Sequence, residues 1–174
     1  GCGAFRSLSN PNAYLHPDTY KGTYWYTGSA DYGGVHTNSG VQNKWFYILV
    51  NGESGTNDLG NPYAVTGIGW DKAARIAYRN LTVYLSASSG FAAARVGAIQ
   101  SAIDLYGAAS AEVIATTNAW YAVGVGCAFN TICYCGTSGN SQTDEWIAGV
   151  TIGSFSNASG KSSYTYFSNK TITL

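Results

Sequence analysis

Between residues 36 and 124, apolar side chains return at helical spacing in four successive runs joined by short links. Positions three and four apart share one helix face, so each run needs another surface to cover it. The first run covers about 36–50 and carries Val41, Trp45, Ile48 and Leu49 on one face. The stretch from Gly52 to Pro62 breaks the period with Gly, Ser, Asn and Pro and reads as a loop. A second helix is expected over about 71–85, with Trp70, Ala73, Ala77, Leu81 and Tyr84 as its stripe. Asp71 falls in its first turn, where the helix dipole favours an anion. The third, about 90–106, can be capped by Ser88 or Ser89. Its stripe is Phe91, Ala94, Ala98, Ala102 and Leu105, an Ala-rich face that admits close helix approach, and Gly107 stops it. Ser110 is placed to cap a fourth, supported by Glu112, with Val113, Thr117, Trp120 and Tyr121 on one face and Gly124 at its end. Four helices with short links predict a mainly α, compact helical domain.

The flanks have a different texture. Residues 1–35 are rich in Tyr, Gly, Asn and Pro without a sustained period, and read as ordered, irregular loops. After residue 135 short β-prone runs alternate with turn signals: Glu145–Ile152, Ser163–Phe167 and Thr171–Leu174, with a turn at Asn157-Ala-Ser-Gly160. Three such strands cannot cover both faces, so 136–174 is expected to be part of a β-sandwich. Four cysteines stand at 2, 127, 133 and 135. A CxC pair with both histidines far upstream fits a zinc knuckle poorly, so residues 127–135 read as a linker whose cysteines form disulfides of open pairing. Nine basic residues balance nine acidic ones, and charged residues are only 10% of the 174. No basic patch points to nucleic acid or anionic lipid, and every apolar run is too short to span a membrane.

The chemistry-bearing stretch is Asp31-Tyr-Gly-Gly-Val-His-Thr-Asn-Ser-Gly40. An acid and a histidine stand five residues apart across two glycines that let the backbone turn sharply. Asp31 can accept a hydrogen bond from one ring nitrogen of His36 and leave the other facing a substrate. The plainer reading is a histidine that merely caps a helix. Arg6 read alone is a surface or salt-bridged arginine, and His16 a loop residue.

The same stretch resembles the DxGGVHxNSG segment of the thermolysin family of zinc metalloproteases. The neighbourhood agrees in order over about residues 3–126. Arg6-Ser-Leu-Ser-Asn-Pro11 is similar to RSMSxP, Pro17-Asp-Thr-Tyr20 to PDxY, and Gly67-Ile-Gly-Trp-Asp-Lys72 to GIGxDK. Ala77-Tyr-Arg-Asn-Leu-Thr82 is similar to FYRALT, and Ala98-Ile-Gln-Ser-Ala-Ile-Asp-Leu-Tyr-Gly107 to AxxQxAxDLYG. The resemblance implies a thermolysin-like carboxy-terminal helical domain over 1–126, with irregular cleft-lining loops over 1–35 and helices over 36–126. It implies a secreted, bacterial zinc endopeptidase acting on protein or peptide substrates, with calcium ions in the intact enzyme. In that family an HExxH helix holds zinc and a glutamate base that activates water. The position of His36 stabilises the developing oxyanion, that of Asp31 orients the histidine and favours its protonated form, that of Arg6 holds a substrate carbonyl, and that of Phe5 lines an apolar primed-side pocket.

The departures are as informative. HExxH is absent, and His16 and His36 cannot build an HxxxH spacing. Gly3 stands where the family has a calcium-binding aspartate, and Tyr32 where it more often has Asn. The chain is therefore expected to be the carboxy-terminal half of its enzyme, separated from the lobe that holds metal and base, without zinc ligands and inactive alone. The tail, through Tyr134-Cys-Gly-Thr-Ser, Asp144-Glu-Trp-Ile147 and Gly153–Gly160, resembles the opening of a GEVED-type β-domain over 136–174. The alternative is a non-catalytic extracellular binding or regulatory module that uses exposed aromatics such as Trp25 and Tyr26.

Overall fold

A computed structural model describes residues 4–131 and the backbone of two short strands near the carboxy terminus. The chain forms two compact units, Gly1–Cys133 and Tyr134–Leu174.

The first unit is mainly helical. A 3-10 turn at Pro11–Tyr14 is followed by α1 (Asp31–Asn38) and α2 (Gly40–Asn51). All four side chains of the expected α2 stripe, Val41, Trp45, Ile48 and Leu49, are fully buried. Helices α4 (Phe91–Tyr106) and α5 (Ala111–Ala122) complete the core, and α3 (Trp70–Arg79) packs on α4 and α2. Ser110 caps α5 as its sequence suggests, its hydroxyl accepting from the backbone N–H of Val113 at 3.3 Å. Helix α5 is buried nearly all round because α4, α2 and a small sheet pack against it. At its centre Trp120 stacks on Trp45 of α2, with ring centroids 4.7 Å apart.

The Ser88 or Ser89 cap expected on α4 does not form, its N-cap being Gly90 without a side-chain cap bond, and two expected element courses are overturned. Residues 52–62 are not an open loop. Strands β1 (Gly52–Thr56) and β2 (Pro62–Thr66) pair antiparallel, from Gly52 opposite Thr66 to Thr56 opposite Pro62. Asn57 builds the connecting turn: its Oδ1 accepts from the N–H groups of Leu59 and Asn61, each at 3.1 Å. Its Nδ2 donates to the carbonyls of Tyr121 and Ala122 at the end of α5. Tertiary hydrogen bonding thus makes a hairpin from residues of low strand propensity.

The second correction concerns α3. It ends at Arg79 and passes into a π-helical turn, Asn80–Tyr84, so the single helix expected to reach Leu85, with its stripe to Tyr84, is broken. Ala73, Ile76 and Asn80 turn inward, while Trp70 and Leu81 stay mostly exposed. Asn80 is drawn in because its Nδ2 donates to the carbonyl of Ala94 on α4 at 2.8 Å. Gly97 permits this approach: a Cβ there would fall 2.2 Å from Asn80 Oδ1.

In the second unit, β3 (Phe155–Ser156) and β4 (Ser162–Ser163) pair antiparallel, with Phe155 opposite Ser163. The expected strands over 145–152, 163–167 and 171–174, apart from Ser163, and the turn at 157–160 lie outside the described residues.

Candidate active site

The segment preceding α2 carries an unusual backbone. Asp31, Tyr32, Gly33 and Gly34 have φ values of 53°, 51°, 84° and 80°, a left-handed run ahead of the right-handed turn that begins at Val35. Side chains tolerate this region poorly, so Asp31 and Tyr32 are held there by their surroundings. The N–H groups of Gly33 and Gly34 both reach the carbonyl of Ala30, at 3.1 and 3.0 Å. Tyr26 covers the run from one side, so close to Gly34 that a Cβ there would fall 2.5 Å from its ring.

This reversal folds the Asp31 carboxylate back onto His36. Oδ1 lies 2.6 Å from Nδ1 of the imidazole, and Oδ2 accepts from the His36 backbone N–H at 2.9 Å. The pair of contacts holds the carboxyl below the usual carboxylate range, the side-chain hydrogen bond contributing most and the backbone one next. A carboxylate can only accept here, so Nδ1 carries the proton and Nε2 is left outward. The imidazole is 79% exposed. The plainer expectation of a capping histidine inverts: the acid binds the backbone N–H of His36, while the imidazole is bound at one nitrogen and free to face solvent at the other.

Arg6 meets the same segment through Ser39. Its Nη1 donates to Ser39 Oγ at 3.4 Å, and that hydroxyl donates to the His36 carbonyl at 2.9 Å. The guanidinium lies over the ring of Phe5, 5.0 Å from its centroid, and Phe5 is largely exposed. Asp31, His36 and Arg6 are thus linked through Ser39, with Phe5 beside the arginine. His16 also sits near: burial, and then the Arg6 charge, lowers its pKa from the ordinary histidine value.

Residues given no role from sequence complete the arrangement. Ser39 and Asn38 lie inside the DxGGVHxNSG stretch, but nothing in their spacing tells which atoms they bond. Trp25 and Tyr26 are not the exposed contacts expected of a binding module. Trp25 packs edge-on against Tyr20 and Phe91, at 4.8 and 5.8 Å, and Tyr26 covers Gly34.

Among the described residues no three His, Cys, Asp or Glu side chains come together in a way that could hold a metal ion. Zinc therefore has no such donor set among them. Cys127 is disulfide-bonded, and the other three cysteines lie outside the described residues. No described helix is long and apolar enough to cross a membrane.

The helical unit is similar to known proteins. Residues 1–125 match the family described as "Thermolysin metallopeptidase, alpha-helical domain". Bacillolysin of Bacillus cereus is 52% identical over 124 residues, covering 70% of this chain and 20% of that protein. Thermolysin of Alicyclobacillus acidocaldarius subsp. acidocaldarius is 47% identical over 122 residues, covering 70% of this chain and 21% of that protein. Bacillolysin of Brevibacillus brevis is 48% identical over 124 residues, covering 70% and 22%. The chain spans about one fifth of the length of these relatives.

Proposed function

The chain belongs to the thermolysin metallopeptidase family, whose α-helical domain it carries, and from that premise we propose that it supplies the oxyanion-stabilising wall of a secreted bacterial zinc endopeptidase. The reading rests on one observation: Asp31 grips His36 at two points and leaves Nε2 outward. In the imidazolium both ring nitrogens donate, Nδ1–H to Asp31 and Nε2–H to the oxygen that gains charge as a peptide carbonyl turns tetrahedral. Asp31 fixes the ring orientation before substrate arrives, so little reorganisation remains in the transition state. Arg6 donates to a substrate carbonyl, and the exposed face of Phe5 offers an apolar wall to the neighbouring primed-side residue.

Protein or peptide substrates, zinc and calcium belong to the complete enzyme. Among the described residues no three His, Cys, Asp or Glu side chains gather to hold a metal ion, and metal binding and the water-activating base are assigned to an amino-terminal lobe of that enzyme. The helical domain is assigned to 1–126, the cysteine-bearing linker to 127–135 and a GEVED-like β-domain to 136–174. The 174-residue chain alone is then inactive. In the complete enzyme His36→Ala lowers kcat by ~10²–10³ with little change in KM, as for loss of an oxyanion donor. Steady-state kinetics on a quenched peptide checks this; an unchanged kcat removes His36 from the mechanism.

A further inference from the structure

The buried Asn38 side chain takes no part in the proposed chemistry, yet it makes two long-range hydrogen bonds to Tyr26, more than any other described side chain of the loop. Asn38 is 6% exposed. Its Oδ1 accepts from the Tyr26 N–H at 2.9 Å, and its Nδ2 donates to the Tyr26 carbonyl at 3.0 Å and to the Gly33 carbonyl at 3.2 Å. Both amide protons and the oxygen are used, which fixes the orientation of the carboxamide. The bonds join three things: the segment bearing Tyr26, the left-handed run at Gly33, and the helical turn that carries His36.

We infer that Asn38 is a positioning residue: its carboxamide locks the left-handed run Asp31–Gly34, and through it the Asp31 carboxylate, against His36. The left-handed backbone at Asp31 and Tyr32 is intrinsically unfavourable. The Asn38 bonds, the Gly33 and Gly34 N–H bonds to Ala30 and the Tyr26 ring oppose its relaxation. Released at Gly33, the run relaxes toward extended backbone and carries Asp31 away from Nδ1. No other residue type repeats the pattern. Asp keeps the acceptor for Tyr26 but sets a carboxylate against two carbonyl oxygens, and Ser is too short to reach both segments. The inference rests on the role proposed for His36 only for its catalytic meaning; the geometry stands by itself.

The test uses the 174-residue chain with labelled imidazole and carboxyl groups. NMR reads the exchange of the His36 Nδ1 proton with water and the titration midpoint of the Asp31 carboxyl, in the wild type, Asn38→Ala and Asn38→Asp. A control substitution at a distance, Ile76→Val or Ile76→Ala, is chosen to match the loss of Tm. The expected result is Nδ1–H exchange faster by at least about tenfold, since Asn38→Asp forfeits both Nδ2 bonds and Asn38→Ala all three, and an Asp31 midpoint that climbs toward the ordinary carboxylate value. Both changes appear in the Asn38 variants and not in the Ile76 control. Wild-type exchange and midpoint in a folded Asn38 variant overturn the inference. So does the same change in the Ile76 control, which would make the effect one of general stability. If neither Asn38 variant folds, the residue serves folding rather than positioning and the inference is likewise wrong. Unchanged turnover in His36→Ala would defeat the catalytic reading and leave this NMR result intact, so the two failures are distinguishable.

Discussion

Gly33 and Gly34 are adjacent, share nearly the same left-handed backbone, and differ in what surrounds them. A Cβ on Gly33 meets nothing within 4 Å, whereas one on Gly34 falls 2.5 Å from Cδ1 and 2.9 Å from Cβ of Tyr26. Replacing either by Ala incurs the left-handed penalty of about 1–2 kcal/mol. The stiffer unfolded chain offsets about 0.4–1 kcal/mol of that in both cases. Gly33→Ala should therefore cost no more than about 1.6 kcal/mol. Gly34→Ala adds the displacement of a packed aromatic ring, an overpacking cost of about 1–3 kcal/mol. The difference between the variants isolates the Tyr26 contact, because the backbone terms cancel. Urea denaturation of the 174-residue chain, with equal m-values as the condition for comparison, measures it. Gly34→Ala should be the less stable variant by more than about 1 kcal/mol. Equal stability, or a weaker Gly33→Ala, would refute the account of how this loop is held.

Three other outcomes follow from the same structure. The folded-state pKa of Asp31 is lowered, so its contribution to stability is present above the unfolded carboxylate pKa and is lost as pH falls through the folded value; Asp31→Asn should remove that part of the acid limb in a series of melts and leave the limb near neutrality unchanged. Trp120→Ala, which empties a fully buried site stacked on Trp45, should destabilise the chain by about 3–5 kcal/mol in chemical denaturation; a loss below about 1 kcal/mol would deny the stack its central place in the core. Ser110→Ala should cost about 1 kcal/mol through loss of the cap on Val113, and Ser110→Asp should restore most of it.

What was legible in the sequence divides by the range of the interaction. The α2 stripe and the Ser110 cap are written in side-chain spacing, because helix geometry brings near neighbours together. The Asp31–His36 contact was also open to inference, since two glycines between them let the chain reverse within five residues. Three asparagines were not readable in that way. Asn57 creates the hairpin, Asn80 turns the end of α3 inward, and Asn38 ties the site loop to Tyr26. Each satisfies backbone groups far away in sequence, and such bonds leave no period to read. Trp70 and Leu81 mislead because the inward face of this segment runs through Ala73, Ile76 and Asn80, and the regular α-helix stops before Leu81. The family resemblance pointed to Asp31, His36 and Arg6, and the bonds that join them are seen only in the structure.

On the proposed function, Asp31 and His36 act as one unit in stabilising a developing oxyanion. A double-mutant cycle on kcat in the complete enzyme, with His36→Ala, Asp31→Asn and the two combined, tests it most directly. If Asp31 acts through His36, the combined variant should be no slower than His36→Ala alone. Losses that multiply, or a His36→Ala enzyme with wild-type turnover, would contradict the account.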